Sequence, residues 1–347
     1  MTQGPTIALD AMGGDHGPSV VLEGAELARI RFPETRFLLM GREAEIAPVL
    51  ARLPKLAACS RIVHTDDVVL GSDKPSQALR RSRTSSMGMA IQAVKDGEAQ
   101  AAMSAGNTGA LMAMAKFVLR THDGIDRPAL VTMLPTARSE SVMLDLGANT
   151  ECSAENLVQF AVMGAAFARA VLGLDKPTVA LLNVGVEDLK GTDDLKAAAT
   201  RLREVDLPMN FVGFTEGDKI GAGDVDVIVT DGFTGNIALK TAEGTAKLIT
   251  GLLRAAFEQS IWTKLGYLIA RTGLRALRDH LDPNNHNGAV FLGLNGLVVK
   301  SHGSANAQGV AAAICLAYDL INDDIGRRIA HDLGNFRSAP AVSAEDV

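Results

Sequence analysis

The sequence predicts an α/β fold, a three-layer α/β/α arrangement with a mostly parallel sheet and a helical hairpin projecting from it. Three observations carry that prediction. Short apolar runs recur along the 347 residues, most of them close on glycine-bearing turns, and longer segments with helical spacing separate one run from the next. Alternation of this kind threads successive strands into one sheet through helical crossovers. No linker-like stretch divides the chain, so residues 1–332 are expected to form a single domain.

The runs at 7–9, 37–40, 101–103, 142–144, 179–182 and 227–229 read as strands buried on both faces, because they are continuously apolar. Segments 20–30, 86–94, 110–119, 157–172 and 195–202 carry apolar residues at helical intervals. The stretch 241–279 departs from the alternation. It is long, compatible with helix and interrupted only by glycines such as Gly244, Gly251, Gly266 and Gly273, which predicts a hairpin inserted at about 240–281. Its expected tip holds Ile261, Trp262, Leu265, Tyr267 and Leu268 beside basic residues, a composition that suits a membrane interface. Helix packing between two subunits would use the same residues. Past Ala330 the chain turns Ser/Ala/Pro-rich without periodicity, so 333–347 is expected to be a flexible tail.

Composition narrows the class. Apolar residues make up 47% but aromatic ones only 4%, so Ala, Val, Leu, Ile and Met must fill the core. Cys59, Cys152 and Cys315 are odd in number and lack C-x-x-C spacing, which points to a reducing compartment rather than a disulfide or zinc framework. The first ten residues lack the regions of a signal peptide, and no segment offers about 18 uninterrupted apolar residues for a membrane span. A cytoplasmic protein is expected. The net charge of −6 disfavours bulk nucleic-acid binding, yet 240–281 holds seven basic residues against three acidic ones. That local excess suits an acidic partner or an anionic membrane surface.

Four Gly/Asn-rich turns hold the candidate chemistry: Gly106-Asn107-Thr108-Gly109, Gly147-Ala148-Asn149, Asn183-Val184-Gly185 and Gly232-Phe233-Thr234-Gly235-Asn236. A turn between a strand and a helix bares backbone amides at the helix N-terminus, where anions bind. Ser104, Gly106, Asn107, Thr108, Asn149, Asn183, Gly235 and Asn236 are the resulting phosphate- or oxyanion-binding candidates. A capped structural turn is the commoner use of the same residues. Lys190, Asp231, Lys300 and His302 add cationic and acid/base groups. Asp10, Asp15 and His16 lie close in sequence, but two carboxylates and a His in a glycine turn fall short of a metal site. Neither a metal nor a cofactor is expected: G-x-G-x-x-G after a strand, the Walker pair and H-E-x-x-H are all absent. One hydrolase pattern stands beside these. Ser104, Asp231 and His302 occur in the α/β-hydrolase order around an elbow that lacks its first glycine, so a Ser104-dependent thioesterase or esterase is an alternative.

Seven ordered motifs give the chain a nearly end-to-end resemblance to the bacterial phosphate acyltransferases of phospholipid synthesis. They are Asp10-Ala11-Met12-Gly13-Gly14-Asp15, Lys74-Pro75 with Ala78-Leu79-Arg80 and Ser85-Ser86-Met87, Ser104 to Gly109, Leu144 to Asn149, Asn183 to Gly191, Asp231 to Asn236, and Lys300-Ser301-His302-Gly303. One departure is Asn287-Gly288, where the family resemblance leads one to expect a Gly-Gly pair. The resemblance implies a fold similar to phosphotransacetylases and the isocitrate dehydrogenase-like group, a homodimer, and peripheral membrane association through the hairpin. It also implies a reaction: inorganic phosphate attacks the thioester of acyl-acyl carrier protein and yields acyl phosphate, with no protein nucleophile. In that setting Lys190, Asp231 and His302 are the expected catalytic groups, and Arg271, Arg275 and Arg278 the expected docking face for acyl carrier protein. A dehydrogenase of the similarly folded group, or a membrane scaffold that binds acyl carrier protein without turnover, would be the competing functions.

Overall fold

A computed structural model describes residues 4–204, 207–282, 284 and 287–338. In chain order the elements are β1 (Thr6–Asp10), α1 (Gly17–Arg31), β2 (Arg36–Gly41), α2 (Glu43–Leu50), α3 (Pro54–Ala57), β3 (Ser60–His64), α4 (Pro75–Leu79), α5 (Ser86–Lys95), β4 (Ala101–Ser104) and α6 (Thr108–Leu119). There follow β5 (Ala129–Pro135), β6 (Glu140–Leu144), α7 (Ala154–Val171), β7 (Thr178–Leu182), α8 (Asp193–Glu204), β8 (Asn210–Thr215) and β9 (Val227–Val229). The chain continues through α9 (Gly232–Glu258), α10 (Ile261–Leu281), β10 (Ala289–Leu292), β11 (Leu297–Lys300), α11 (Ala307–Asn322) and α12 (Ile325–Ser338).

Among the described residues eleven strands join one sheet in the order β3-β2-β1-β4-β11-β10-β5-β6-β9-β7-β8. Neighbours are parallel except where β10 meets β11, β5 meets β10 and β6 meets β5. Three successive reversals set the strands β6, β9, β7 and β8 against β1, β2, β3, β4 and β11. The carboxyl ends of β1, β4 and β11 therefore share one edge of the sheet, and those of β6, β7 and β9 share the opposite one. At about 3.3 Å per residue, strands of this length hold the two edges about 15 Å apart.

Side chains alternate between faces with a period of two, and the core follows suit. Ile7, Leu9, Phe37, Leu39, Met103, Val142, Leu144, Val227 and Val229 pack into one layer with α1, α7 and α11. Ala8, Leu38, Met40, Ala102, Met143 and Ile228 face the other layer, with α5 and α6. Helix α7 is buried from Asn156 to Ala168, which accounts for its apolar character all round.

Two boundaries differ from expectation. Helix α12 continues through Ser338, beyond the expected start of the tail at 333, because Leu333 and Phe336 are buried and the Arg201 guanidinium lies 5.5 Å from the Phe336 ring centroid. The rest of that tail, 339–347, lies outside the described residues. The hairpin is the α9–α10 pair, and it begins at Gly232 rather than near 240, since Asp231 caps α9 directly at the end of the β9 turn. The chain reverses at Gln259 and Ser260, where Ser260 and Thr263 form a capping box and Tyr267 stands edge-on to Phe257 at 5.6 Å.

Candidate active site

Three adjacent strands end in three chemically distinct residues. Leu9 pairs with Met103, and Ser104 pairs with Lys300, so Asp10, Ser104 and Lys300 form a row across β1, β4 and β11. The Ser104 hydroxyl donates to Asp10 Oδ2 at 2.7 Å and accepts from the Gly106 amide at 3.0 Å. Asp10 is buried and its Oδ1 has no hydrogen-bond partner among the described residues. Burial raises its carboxyl above the usual range, while the hydroxyls of Ser86 and Ser104, the Met12 amide and the Lys300 charge pull it back. Gly13 is required by close approach: a Cβ there would lie 2.8 Å from Asp10 Oδ2 and 2.9 Å from the Gly106 nitrogen.

The turn after β4 opens α6. The Asn107 side chain caps it by accepting from the Ala110 amide at 3.0 Å, and its own amide donates to the carbonyls of Gly71 and Asp73. Helix geometry leaves the Thr108 and Gly109 amides ahead of the capped one without an intrahelical acceptor. Lys300 is 9% exposed. Its Nζ donates to the Ser301 carbonyl and lies 3.4 Å from that of Ala105. Burial first, then the nearby Lys240 charge, lowers the ammonium to about 8, against the opposite pull of Asp15 and Asp10. Burial first, and then the Lys240 charge, hold His302 below its usual range, which favours the neutral ring. Its Nδ1 accepts from the Ser304 amide at 3.3 Å and lies 2.9 Å from the Ser304 hydroxyl, an arrangement that favours the ring proton on Nε2. The His302 amide donates to Asn287 Oδ1, and the Asn287 side-chain amide donates to Ser301 Oγ and the Gly309 carbonyl, both at 2.8 Å. Asn287, noticed in the sequence only as a departure from Gly, fastens the loop after β11 to α11.

The opposite edge is built differently. Asp145, buried just beyond β6, accepts from the backbone amides of Leu130, Gly147, Ala148 and Asn149 and from the Asn149 side chain. Asn149 also donates to the Pro128 carbonyl at 2.8 Å. Asn183 closes its own loop by donating to the Lys190 carbonyl and accepting from Val184. Lys190 is exposed, with Glu187 at 3.8 Å. Asp231 accepts from both the amide and the hydroxyl of Thr234. Asn236 donates to the Leu146 carbonyl at 3.1 Å, and Gly235 lets α9 approach the Asp145 backbone so closely that a Cβ would stand 1.9 Å from its carbonyl oxygen.

The expected site residues thus form two groups. Ser104, Gly106, Asn107, Thr108, Lys300 and His302 gather at the first edge. Asn149, Asn183, Lys190, Asp231, Gly235 and Asn236 gather at or near the second, which the reversals around β10 and β5 carry away from the first. The hydrolase alternative fails on this geometry: Ser104 is 1% exposed and committed to Asp10, His302 contacts Ser304, and Asp231 caps a helix at the far edge. Helix α9 runs from the second edge toward the first, where its Lys240 faces Lys300 and His302. Among the described residues no group of three or more His, Cys, Asp or Glu side chains is placed to hold a metal ion.

Residues 5–328 match the family described as "Fatty acid synthesis protein". The phosphate acyltransferase of Parvibaculum lavamentivorans is 59% identical over 334 residues, covering 96% of this chain and 92% of that protein. This chain belongs to the phosphate acyltransferase family. A second member, from Erythrobacter litoralis, is 58% identical over 331 residues, covering 95% of this chain and 93% of its own. Among solved structures, a phosphotransacetylase from Streptococcus pyogenes superimposes with a TM-score of 0.60 at 18% identity, over 93% of this chain and 95% of that one. The EutD phosphotransacetylase from Staphylococcus aureus gives 0.58 at 16% identity, over 92% and 94%. At these identities the likeness concerns the fold.

The helix amides of Thr108 and Gly109, the His302 ring and the buried Lys300 ammonium at the first edge are three kinds of group able to receive an anion, on adjacent loops. The hairpin tip is exposed: Ile261 and Trp262 are 82% and 81% exposed, and Leu265, Tyr267 and Leu268 are exposed too. Arg271 and Arg275 are exposed on α10, whereas the side chain of Arg278 lies outside the described residues. No described helix is long and apolar enough to cross a membrane.

Proposed function

We propose that this chain transfers a fatty acyl group from acyl-acyl carrier protein to inorganic phosphate, giving acyl phosphate for glycerophospholipid synthesis, and that the edge formed by β1, β4 and β11 holds the reacting groups. The observation that carries the reading is the conjunction of near full-length phosphate acyltransferase relatives with the amide turn, Lys300 and His302 on that edge. Phosphate brings its own nucleophilic oxygen, so the protein's work is positioning and charge stabilisation. The Thr108 and Gly109 amides and His302 Nε2–H hold phosphate or the thioester oxyanion, and Lys300 balances charge beneath them. Ser104 shapes the turn through its bonds to Asp10 and Gly106 rather than attacking the thioester.

The partners follow from the hairpin. Acyl carrier proteins are acidic, which suits Arg271, Arg275 and Arg278. The exposed Ile261–Leu268 cluster suits the anionic inner face of the cell membrane, making the protein cytoplasmic and peripherally attached. The long apolar faces of α9 and α10, with Phe233, Ile237, Leu248 and Leu252 exposed, favour a homodimer. Turnover of palmitoyl-acyl carrier protein, with acyl phosphate trapped as hydroxamate, tests the activity. Hydroxamate formed only with phosphate, together with free carrier thiol, is expected; phosphate-independent fatty acid would contradict the acyl-phosphate reading, and binding without product would leave the scaffold.

A further inference from the structure

Acyl transfer from a thioester to hydrogen phosphate moves a proton as well as the acyl group. A phosphate oxygen bonds to the carbonyl carbon, the C–S bond breaks, and its electron pair leaves on sulfur as thiolate. The acyl phosphate first carries the hydrogen-phosphate proton and is the stronger acid, whereas an alkyl thiol with a pKa of about 8.5 holds its proton at neutral pH. One group in the site can serve both needs, giving a proton to sulfur and recovering it from the new acyl phosphate.

Geometry singles out Lys300. It lies in register with Ser104 at the root of the amide turn, and two backbone carbonyls, of Ala105 and Ser301, fix its Nζ at that point. The charged and titratable groups facing it come from each surrounding element: Asp10 at the end of β1, Asp15 in the next turn, Lys240 from α9, and His302 in its own loop. None of them does the work as well. Neutral His302 offers an N–H that donates but is not acidic, and Asp10 is buried against Ser104. Lys190 belongs to the other edge.

We propose that Lys300 donates a proton to the departing thiolate and takes one back from the acyl phosphate just formed. This assignment rests on the acyl-transfer reading and deepens it. The ammonium, lowered to about 8, is nearly matched to an alkyl thiol, so the proton passes with little cost in either direction. An ordinary lysine, at about 10.4, would be a poorer acid for the task.

Leaving-group dependence of the full-length protein tests it. With acyl-acyl carrier protein, whose leaving group is an alkyl thiol, turnover should fall about tenfold per unit as pH rises above about 8, because the acid form is lost. An acyl thiophenol ester, whose thiolate leaves without a proton, should show no such fall. Lys300→Arg keeps the charge without the titration; it should lose about 10²-fold or more on the alkyl thioester and recover to within tenfold of wild type on the aryl one. Equal losses on both substrates, or an alkaline fall with both, would overturn the assignment in favour of a purely electrostatic or structural lysine. Should Lys300→Arg fail to fold, the wild-type comparison of the two leaving groups decides alone. Absence of phosphate-dependent product from either thioester would instead reject the acyl-transfer reading beneath it.

Discussion

At the edge beyond β6, Asp145 accepts four backbone amides and one side-chain amide, and each neighbouring Asn donates to a backbone carbonyl. At the edge beyond β1, β4 and β11, by contrast, Asp10 Oδ1 has no partner among the described residues, Lys300 is buried as a weakened ammonium, and His302 presents a neutral N–H. Both edges carry Gly/Asn turns of the same kind. The second edge surrounds its buried carboxylate with amides, whereas the first leaves one carboxylate oxygen unmatched among the described residues and buries a weakened ammonium beside it. A turn motif alone therefore does not separate a structural turn from the proposed site; where its polar atoms go is what distinguishes the two edges.

That contrast can be broken from either side. The largest effect is expected for Asp145→Ala, which strands several buried amides at once: about 3–5 kcal/mol of stability should be lost, read from urea unfolding. A loss under about 1 kcal/mol would show that the second edge is not held by its carboxylate. Gly13→Ala sharpens the comparison at the first edge, where the added methyl collides with Asp10 and the Gly106 amide. Turnover should drop about 10²-fold, as for loss of a well-placed amide donor, and wild-type turnover would contradict the interlocked loops.

Lys300→Met should move stability the other way. Lowering a lysine from about 10.4 to about 8 costs the fold about 3 kcal/mol, and giving up two carbonyl bonds returns about 2, leaving a gain of about 1 kcal/mol at pH 7. The unfolded chain binds the extra proton between pH 8 and 10, so wild-type stability should gain from this group as pH rises through that window, and the variant should lack that increment. Equal pH slopes in the two proteins would place Lys300 in a more solvated setting. The smallest effect on chemistry is expected at the hairpin: polar replacement of Trp262 and Leu265 should leave turnover in solution within twofold yet abolish flotation with anionic liposomes, and unchanged flotation would remove the membrane contact.

Much of the sheet was legible because parallel strands buried on both faces read as continuous apolar runs, as in β1, β2, β4, β6, β7 and β9. Half-exposed β3 gives no such run, and β10 and β11 are four-residue strands separated by a glycine-rich turn. Those short strands, with β5, supply the reversals, and reversals depend on pairing between distant segments rather than on local pattern. Without them, nothing in the sequence separates the turns onto two edges of the sheet. Ser104, Lys300 and His302 were recognisable by residue type at strand ends, whereas Asp10 stood out only in the first resemblance motif and in a glycine turn that falls short of a metal site. Its tie to Ser104 spans 94 residues. Asn287 shows the same limit, since its value lies in three partners that only folding brings to it.

The most direct measurement is phosphate-dependent acyl phosphate formation by His302→Ala and Lys190→Ala side by side, with kcat/KM for phosphate as the readout. His302→Ala should lose about 10²–10³-fold at unchanged stability, as expected for a donor to phosphate or oxyanion, while Lys190→Ala stays within threefold of wild type. A loss confined to Lys190→Ala, or equal losses in both, would contradict a site built on the β1, β4 and β11 edge alone.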